Sequence, residues 1–178
     1  NATTIPMLRC FAFTRPHIFF YFLRTSGTKN LKNVLISIML RCLAFRREHC
    51  PPLVFLVCVP ETWISEEIVQ AYTELHKMGL AHSVEAWQDD KLVGGLYGVS
   101  LGAAFFGESM FSFVSNSSKV AFHYLIQILR EQKYELLDSQ FMNDNVQRYG
   151  AINIPRTAYI KRLAKALKST CHFQKPII

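Results

Sequence analysis

The sequence predicts an α+β domain: a mixed, mostly antiparallel sheet flanked by helices. Apolar residues recur at helical spacing in three separate stretches, at Ile68–Met78, Val120–Leu129 and Tyr159–Leu167. Alternating segments on either side of Asp89-Asp90 read as a β-hairpin. The resulting order of helix, antiparallel strands, helix, strand and helix is that of an α+β domain.

The elements follow in turn. Ser65 with Glu66 and Glu67 behind it starts a helix, placing acids at the positive end of the dipole. Ile68, Val69, Tyr72, Leu75 and Met78 form its apolar face, and Gly79 ends it. Ser83–Gln88 alternates as a strand, Asp89-Asp90 turns, and Lys91–Ser100 returns. Ala103–Gly107 is a third, short strand. Ser117 or Ser118 caps a helix running to about Glu131, with Val120, Ala121, Tyr124, Leu125, Ile128 and Leu129 on its buried side. Tyr134–Ser139 is a fourth strand. Pro155 opens a last helix to about Leu167, with Tyr159, Leu163 and Leu167 packed and Arg156, Lys161, Arg162, Lys165 and Lys168 outward. This order fits a GNAT-like acyltransferase domain. The Q/R-x-x-G-x-G/A run that such domains place before a helix to hold acetyl-CoA is missing ahead of Val120, which argues against CoA as the donor.

Half of the 178 residues are hydrophobic and 19% are charged, which is globular composition. Five cysteines, with no C-x-x-C pair, point to a reduced cytoplasmic protein without a metal-binding framework. The longest apolar stretches fall short of the roughly 18–20 residues of a membrane span. The net charge of +7 is unevenly distributed. Residues 1–60 carry eight Lys or Arg and one acid, residues 61–144 carry five bases and twelve acids, and residues 145–178 carry seven bases and no acid. Basic flanks suit a polyanion such as RNA, and an acidic centre suits a cationic small partner; solvated faces would look the same. The composition also divides the chain near Pro60, into a segment of residues 1–60 and a domain of residues 61–178.

Several positions could carry chemistry. Glu108 places a carboxylate in an otherwise apolar, small-residue stretch, where it is either a loop acid or an acid at the mouth of an apolar pocket. Gly94 and Gly95 interrupt a strand, which marks a bulge or the close approach of a ligand. Asp138 and Gln140 lie two apart at a strand end and so share a face, either as chemistry or as a strand-end Asp satisfying a backbone N–H.

HSVEAW (82–87), LVGGLYGV (92–99), GESMFS (107–112), LLDSQ (136–140) and NIPR (153–156) together resemble the leucyl/phenylalanyl-tRNA–protein transferases, over about residues 62–167. Phe113, Asn145 and Tyr149 depart from the family's usual Arg, His and Leu. Residues 1–60 resemble no part of the family's N-terminal domain, and the expectation is a truncated or divergent start.

The resemblance implies transfer of Leu or Phe, with Met a further candidate, from aminoacyl-tRNA to the N-terminal Arg or Lys of acceptor proteins, marking them for degradation by the N-degron route. It implies no cofactor and no metal, and a monomer. It assigns Asp138 and Gln140 to catalysis and builds the aminoacyl side-chain pocket from Leu96, Phe105, Glu108, Met110, Leu125, Leu129 and Leu137. It sets Trp63, Tyr72, Gly94 and Gly95 at the tRNA 3′ end, and Lys119, Arg148, Arg156, Lys161, Arg162 and Lys165 against its phosphates. The rival readings are a GNAT acetyltransferase using acetyl-CoA, and an inactive tRNA- or peptide-binding fragment.

Overall fold

A computed structural model describes residues 65–173, together with the backbone of residues 9–11 and 39–42. The backbone at those two places forms strands β1 (Arg9–Phe11) and β2 (Met39–Cys42). Helix α1 (Glu66–Lys77) is capped by the Ser65 side chain, as its sequence predicts, and leads into β3 (Ala81–Gln88), β4 (Lys91–Leu101) and β5 (Ala104–Ser112). Then come α2 (Ser117–Glu131), β6 (Leu136–Asp138), α3 (Asp144–Arg148), β7 (Ala151–Asn153) and α4 (Arg156–Ala166). The strands form one sheet in the order β2-β3-β4-β5-β6-β1-β7, antiparallel except for the β5–β6 pair. The α+β class read from the sequence is the observed one.

The hairpin turns where expected: Asp89 and Asp90 both take positive φ, at 49° and 58°, the backbone that a tight two-residue connection needs. Its return strand β4 turns at Gly102-Ala103 into the antiparallel β5, which is longer than its apolar alternation suggests. GESMFS does not leave the sheet at Gly107; it stays paired with β4, so that Leu96 faces Met110 and Gly94 faces Ser112. The register slips once. Tyr97 opposes Ser109 and Gly98 opposes Gly107, which leaves Glu108 as the extra residue of a bulge. Gly98 is required here, because a Cβ would overlap the Phe106 carbonyl and the Phe105 ring.

The main core lies between α2 and the sheet. Phe122, Leu125, Ile126, Ile128 and Leu129 of the helix pack with Val84, Leu96, Phe105 and Leu137. Tyr124, expected on this face, is only partly buried. The N-cap of α2 is Asn116, in the left-handed region, rather than a serine. Ser117 instead turns its hydroxyl back to the Val93 and Val114 carbonyls, each at 2.7 Å, which ties the helix start to β4. A second cluster seats α4 through Tyr159 and Ala166 against Ala103, Ala104 and Leu136. Leu167 and Met78, expected to pack, are helix C-caps and stand 49% and 69% exposed. Both lie where the helical turn ends and the apolar face no longer meets the sheet.

Candidate active site

Strands β5 and β6 run parallel only from Ala104 to Phe106 and from Leu136 to Asp138. Beyond Asp138 the chain leaves the sheet, while β5 continues to Ser112. The two walls diverge around a cavity of about 470 Å³. Its interior is apolar, built from the buried Leu96, Phe122, Leu125, Leu137 and Val146, with Tyr97 beside them. Met110 and Phe141 stand on its rim, 47% and 71% exposed. Gly107, Glu108 and Ser109 line the β5 side, and Asp138, Ser139, Gln140 and Asn143 line the other.

A string of hydrogen bonds crosses between those sides. Asp138, at 7% exposure, accepts the backbone N–H of Gln140 on Oδ1 at 2.9 Å and the Tyr159 hydroxyl on Oδ2 at 2.8 Å. Two donors offset the cost of burying this carboxylate. Gln140 sits at φ 59°, in the left-handed region that residues with a Cβ adopt uncommonly. Its amide Nε2 donates to Glu108 Oε2 at 3.1 Å. The bulge supplies this contact by re-aiming Glu108 out of the sheet's alternation. Burial, with the Glu108 charge behind it, pushes the Tyr97 phenol up to about 12. The Tyr72 phenol is raised for the same two reasons in the same order.

Leu96, Glu108, Met110, Leu125 and Leu137, expected at a side-chain pocket, all line this one cavity. Phe105 and Leu129 do not; both are fully buried in the core behind it. Asp138 and Gln140 meet at its mouth. Tyr72 packs edge-on against Tyr97, ring centroids 5.0 Å apart, and stays outside the lining. Gly94 and Gly95 also lie outside the lining. A Cβ on Gly94 would overlap Ser117, and one on Gly95 would press on the Val84 carbonyl and the Phe111 ring at 3.0 and 3.1 Å. The structure therefore gives both glycines a packing reason. Trp63 lies outside the described residues.

The basic residues are dispersed over several elements. Lys119 bonds Asn116 Oδ1 at 3.0 Å at the start of α2, and Arg148 is exposed at the end of α3. Arg156 and Lys161 are exposed on α4, Arg162 is half-buried, and Lys165 pairs with Glu135 at 2.8 Å.

Sequence reasoning missed Tyr97, Phe122, Ser139, Phe141, Asn143 and Val146 on the cavity wall. Phe122 was within reach, since it lies one turn before Leu125 on the same helix face. It also missed Glu85, fully buried on β3 and held by Ser83 Oγ at 3.3 Å and Trp87 Nε1 at 3.0 Å. Burial raises the Glu85 carboxyl to about 7. Among the described residues, no three His, Cys, Asp or Glu stand together so as to hold a metal ion, and no helix is long and apolar enough to cross a membrane.

The profile of the leucyl/phenylalanyl-tRNA protein transferases matches residues 54–164, well over half of the sequence. The chain belongs to this family. A leucyl/phenylalanyl-tRNA–protein transferase of Pelodictyon phaeoclathratiforme is 55% identical over 113 residues, covering 64% of this chain and 58% of that one. Proteins of the same description from Paramagnetospirillum magneticum and Gloeobacter violaceus are each 53% identical, over 116 and 115 residues. These matches cover 65% of this chain in both cases, and 56% and 60% of the relatives. The chain thus spans less than two thirds of the length of the curated family members it matches. Among solved structures, a ribosomal-protein-alanine N-acetyltransferase from Brucella melitensis biovar Abortus 2308 aligns over 80% of this chain and 97% of its own, with a TM-score of 0.43 and 14% identity.

Proposed function

We propose that this chain carries an aminoacyl-transfer site, which moves Leu or Phe from aminoacyl-tRNA to the N-terminal Arg or Lys of an acceptor protein. Met is a further donor by the same chemistry. The observation that carries the reading is one cavity with an apolar interior and a Glu108–Gln140–Asp138 line at its mouth. An unbranched Met beside several Leu makes an adaptable wall, suited to both an aliphatic and an aromatic side chain.

In the reaction the acceptor's α-amine attacks the ester carbonyl carbon. A C–N bond forms, the C–O bond to the ribose breaks, and the proton lost by the amine ends on the ribose hydroxyl. An α-amine has a pKa of about 7.7–8.0, so a useful fraction is already neutral near pH 7.5. The ester is reactive too, and much of the acceleration then comes from alignment. Gln140 positions the amine, Glu108 holds the donor's own ammonium, and Asp138 orients Gln140. Two acids at the mouth also favour an acceptor that brings a cationic first residue.

The tRNA's 3′ end is assigned to Trp63 and Tyr72, and its phosphates to Lys119, Arg148, Arg156, Lys161, Arg162 and Lys165. The product is an N-degron, made in the cytoplasm by a monomer without a cofactor. The test is transfer of labelled Phe from Phe-tRNA to a peptide beginning with Arg, with Asp138→Ala as control. Transfer that falls sharply in the variant supports the reading. Tight, salt-sensitive tRNA binding without product sinks it in favour of an inactive binding fragment.

A further inference from the structure

Asp138 is the last residue of β6, and its carboxylate is almost shut from solvent. Each of its oxygens already has a donor. One is the backbone N–H of Gln140, the residue whose left-handed backbone brings its amide to Glu108. The other is the phenol of Tyr159, which arrives from α4, 21 residues further along the chain. Tyr159 is itself immobilised: it is 4% exposed and packed among Ala103, Ala104, Leu136 and Ala166. The ring is therefore a fixed post, and the hydroxyl is its one polar reach toward the site. Three bonds in series, of 2.8, 2.9 and 3.1 Å, lead from Tyr159 through Asp138 and Gln140 to Glu108.

We infer that Tyr159 is a positioning residue for aminoacyl transfer, clamping the Asp138 carboxylate so that Gln140 is held in its left-handed turn at the cavity mouth. The inference rests on the transfer reading above. Without the phenol, Oδ2 loses its donor and the carboxylate is free to rotate. The Gln140 N–H bond then loosens, and the amide that must meet the reacting groups is no longer fixed. Small losses of alignment cost rate far more than they cost binding.

The test is steady-state transfer by the full chain and by Tyr159→Phe, which keeps the ring and its packing. The expected result is a fall in kcat of about tenfold, with KM for both tRNA and acceptor peptide changed by less than about twofold. Adding Tyr159→Phe to Asp138→Asn should cost nothing further, because both changes cut the same series. A full tenfold loss in the Asp138→Asn background would mean that the hydroxyl acts independently of the Asp138 carboxylate, and would overturn the inference. Amide exchange gives a readout independent of turnover: the Gln140 N–H should exchange faster in Tyr159→Phe, while the amides of β3 and β4 keep their wild-type rates. A uniform rise over the whole sheet would signal general destabilisation and would also overturn it. A further readout needs no variant at 159. The wild-type Tyr159 hydroxyl proton should exchange slowly by NMR and lose that protection in Asp138→Asn; a freely exchanging hydroxyl contradicts the clamp. Absence of transfer by the unmodified chain sinks the transfer reading itself, whereas equal kcat in wild type and Tyr159→Phe sinks only the clamp.

Discussion

Gln140 donates its side-chain amide to Glu108 at 3.1 Å, linking two residues 32 positions apart on opposite walls of the cavity. Each end of this bond depends on an irregularity of the backbone. Glu108 is the extra residue of the β5 bulge, and Gln140 occupies a left-handed φ. Regular strands on both sides would have kept the two side chains apart, and the cavity mouth is built from the two departures together.

The first prediction follows from that contact. Glu108→Gln keeps the length of the side chain and can still accept from Gln140, but it removes the charge. Transfer measured as kcat/KM should fall about tenfold or more, since a charged acceptor bonds roughly twice as strongly as a neutral one. Gln140→Glu sets two carboxylates against each other and should cost more than Glu108→Gln does. Retention of wild-type kcat/KM in both variants would remove the pair from the reaction.

The second concerns pH and stability. Burial raises Glu85 to about 7, so folding favours its protonated form. Stability from this group is fully present below the unfolded value of about 4.3 and is lost as pH rises through 7. His82 acts in the opposite sense. Burial lowers it to about 4, so its contribution is present above the unfolded value of about 6.5 and is lost as pH falls toward 4. Between roughly pH 4.5 and 6.5 the two slopes oppose each other and flatten the stability profile. Glu85→Gln should raise Tm at pH 8 by several degrees and change it little at pH 5. Melting curves at the two values decide the matter, and an equal shift at both would exclude the carboxyl as the cause.

How much of this could be read in the chain varied with the length and locality of each feature. The Asp89-Asp90 turn and helices α1, α2 and α4 were legible because each announces itself within a few residues. Helix α3 and strand β7 were not, since five and three residues are too short to show a period. GESMFS resembles a departure from the sheet because its glycine and serines weaken any strand signal; pairing with β4 overrides that local preference. Gly94 signalled close approach, and the approaching atom proved to be Ser117, a contact between residues 23 apart that no local pattern reveals. Tyr159 fitted a packing position in α4 and does pack there; that its hydroxyl meets Asp138 depends on how α4 lies against β6.

The third prediction separates the cavity wall from the core behind it. Leu125 lines the cavity, whereas Leu129, one turn further along α2, is fully buried away from it. Leu125→Ala and Leu129→Ala should each destabilise the fold by about 2–5 kcal/mol. Only Leu125→Ala should also change the ratio of Phe to Leu transfer, because only it reshapes the cavity proposed to take the donor side chain. Competition between the two charged tRNAs reads that ratio directly. An equal change in both variants would mean that the donor pocket lies elsewhere.

The last prediction concerns the basic face of α4. A lysine that neutralises a phosphate releases about one counterion, so its loss lowers the slope of log affinity against log salt by roughly one. The cost should not be the same for every residue. Lys165 is already paired with Glu135 at 2.8 Å, and Glu135 also accepts from Ser169. Engaging RNA would require Lys165 to exchange one anion for another, with little net gain. Lys161 is exposed on the same helix with no ion pair among the described residues, so a phosphate contact there displaces only water and ions. Lys161→Gln should therefore weaken tRNA binding and flatten the salt slope by about one, whereas Lys165→Gln should change both less. Removing the Glu135 charge alters the comparison: in Glu135→Gln, Lys165 becomes available, affinity should rise, and Lys165→Gln should then cost as much as Lys161→Gln. Filter binding across a salt series tests all four variants, and identical slopes for Lys161→Gln and wild type would take α4 off the RNA path.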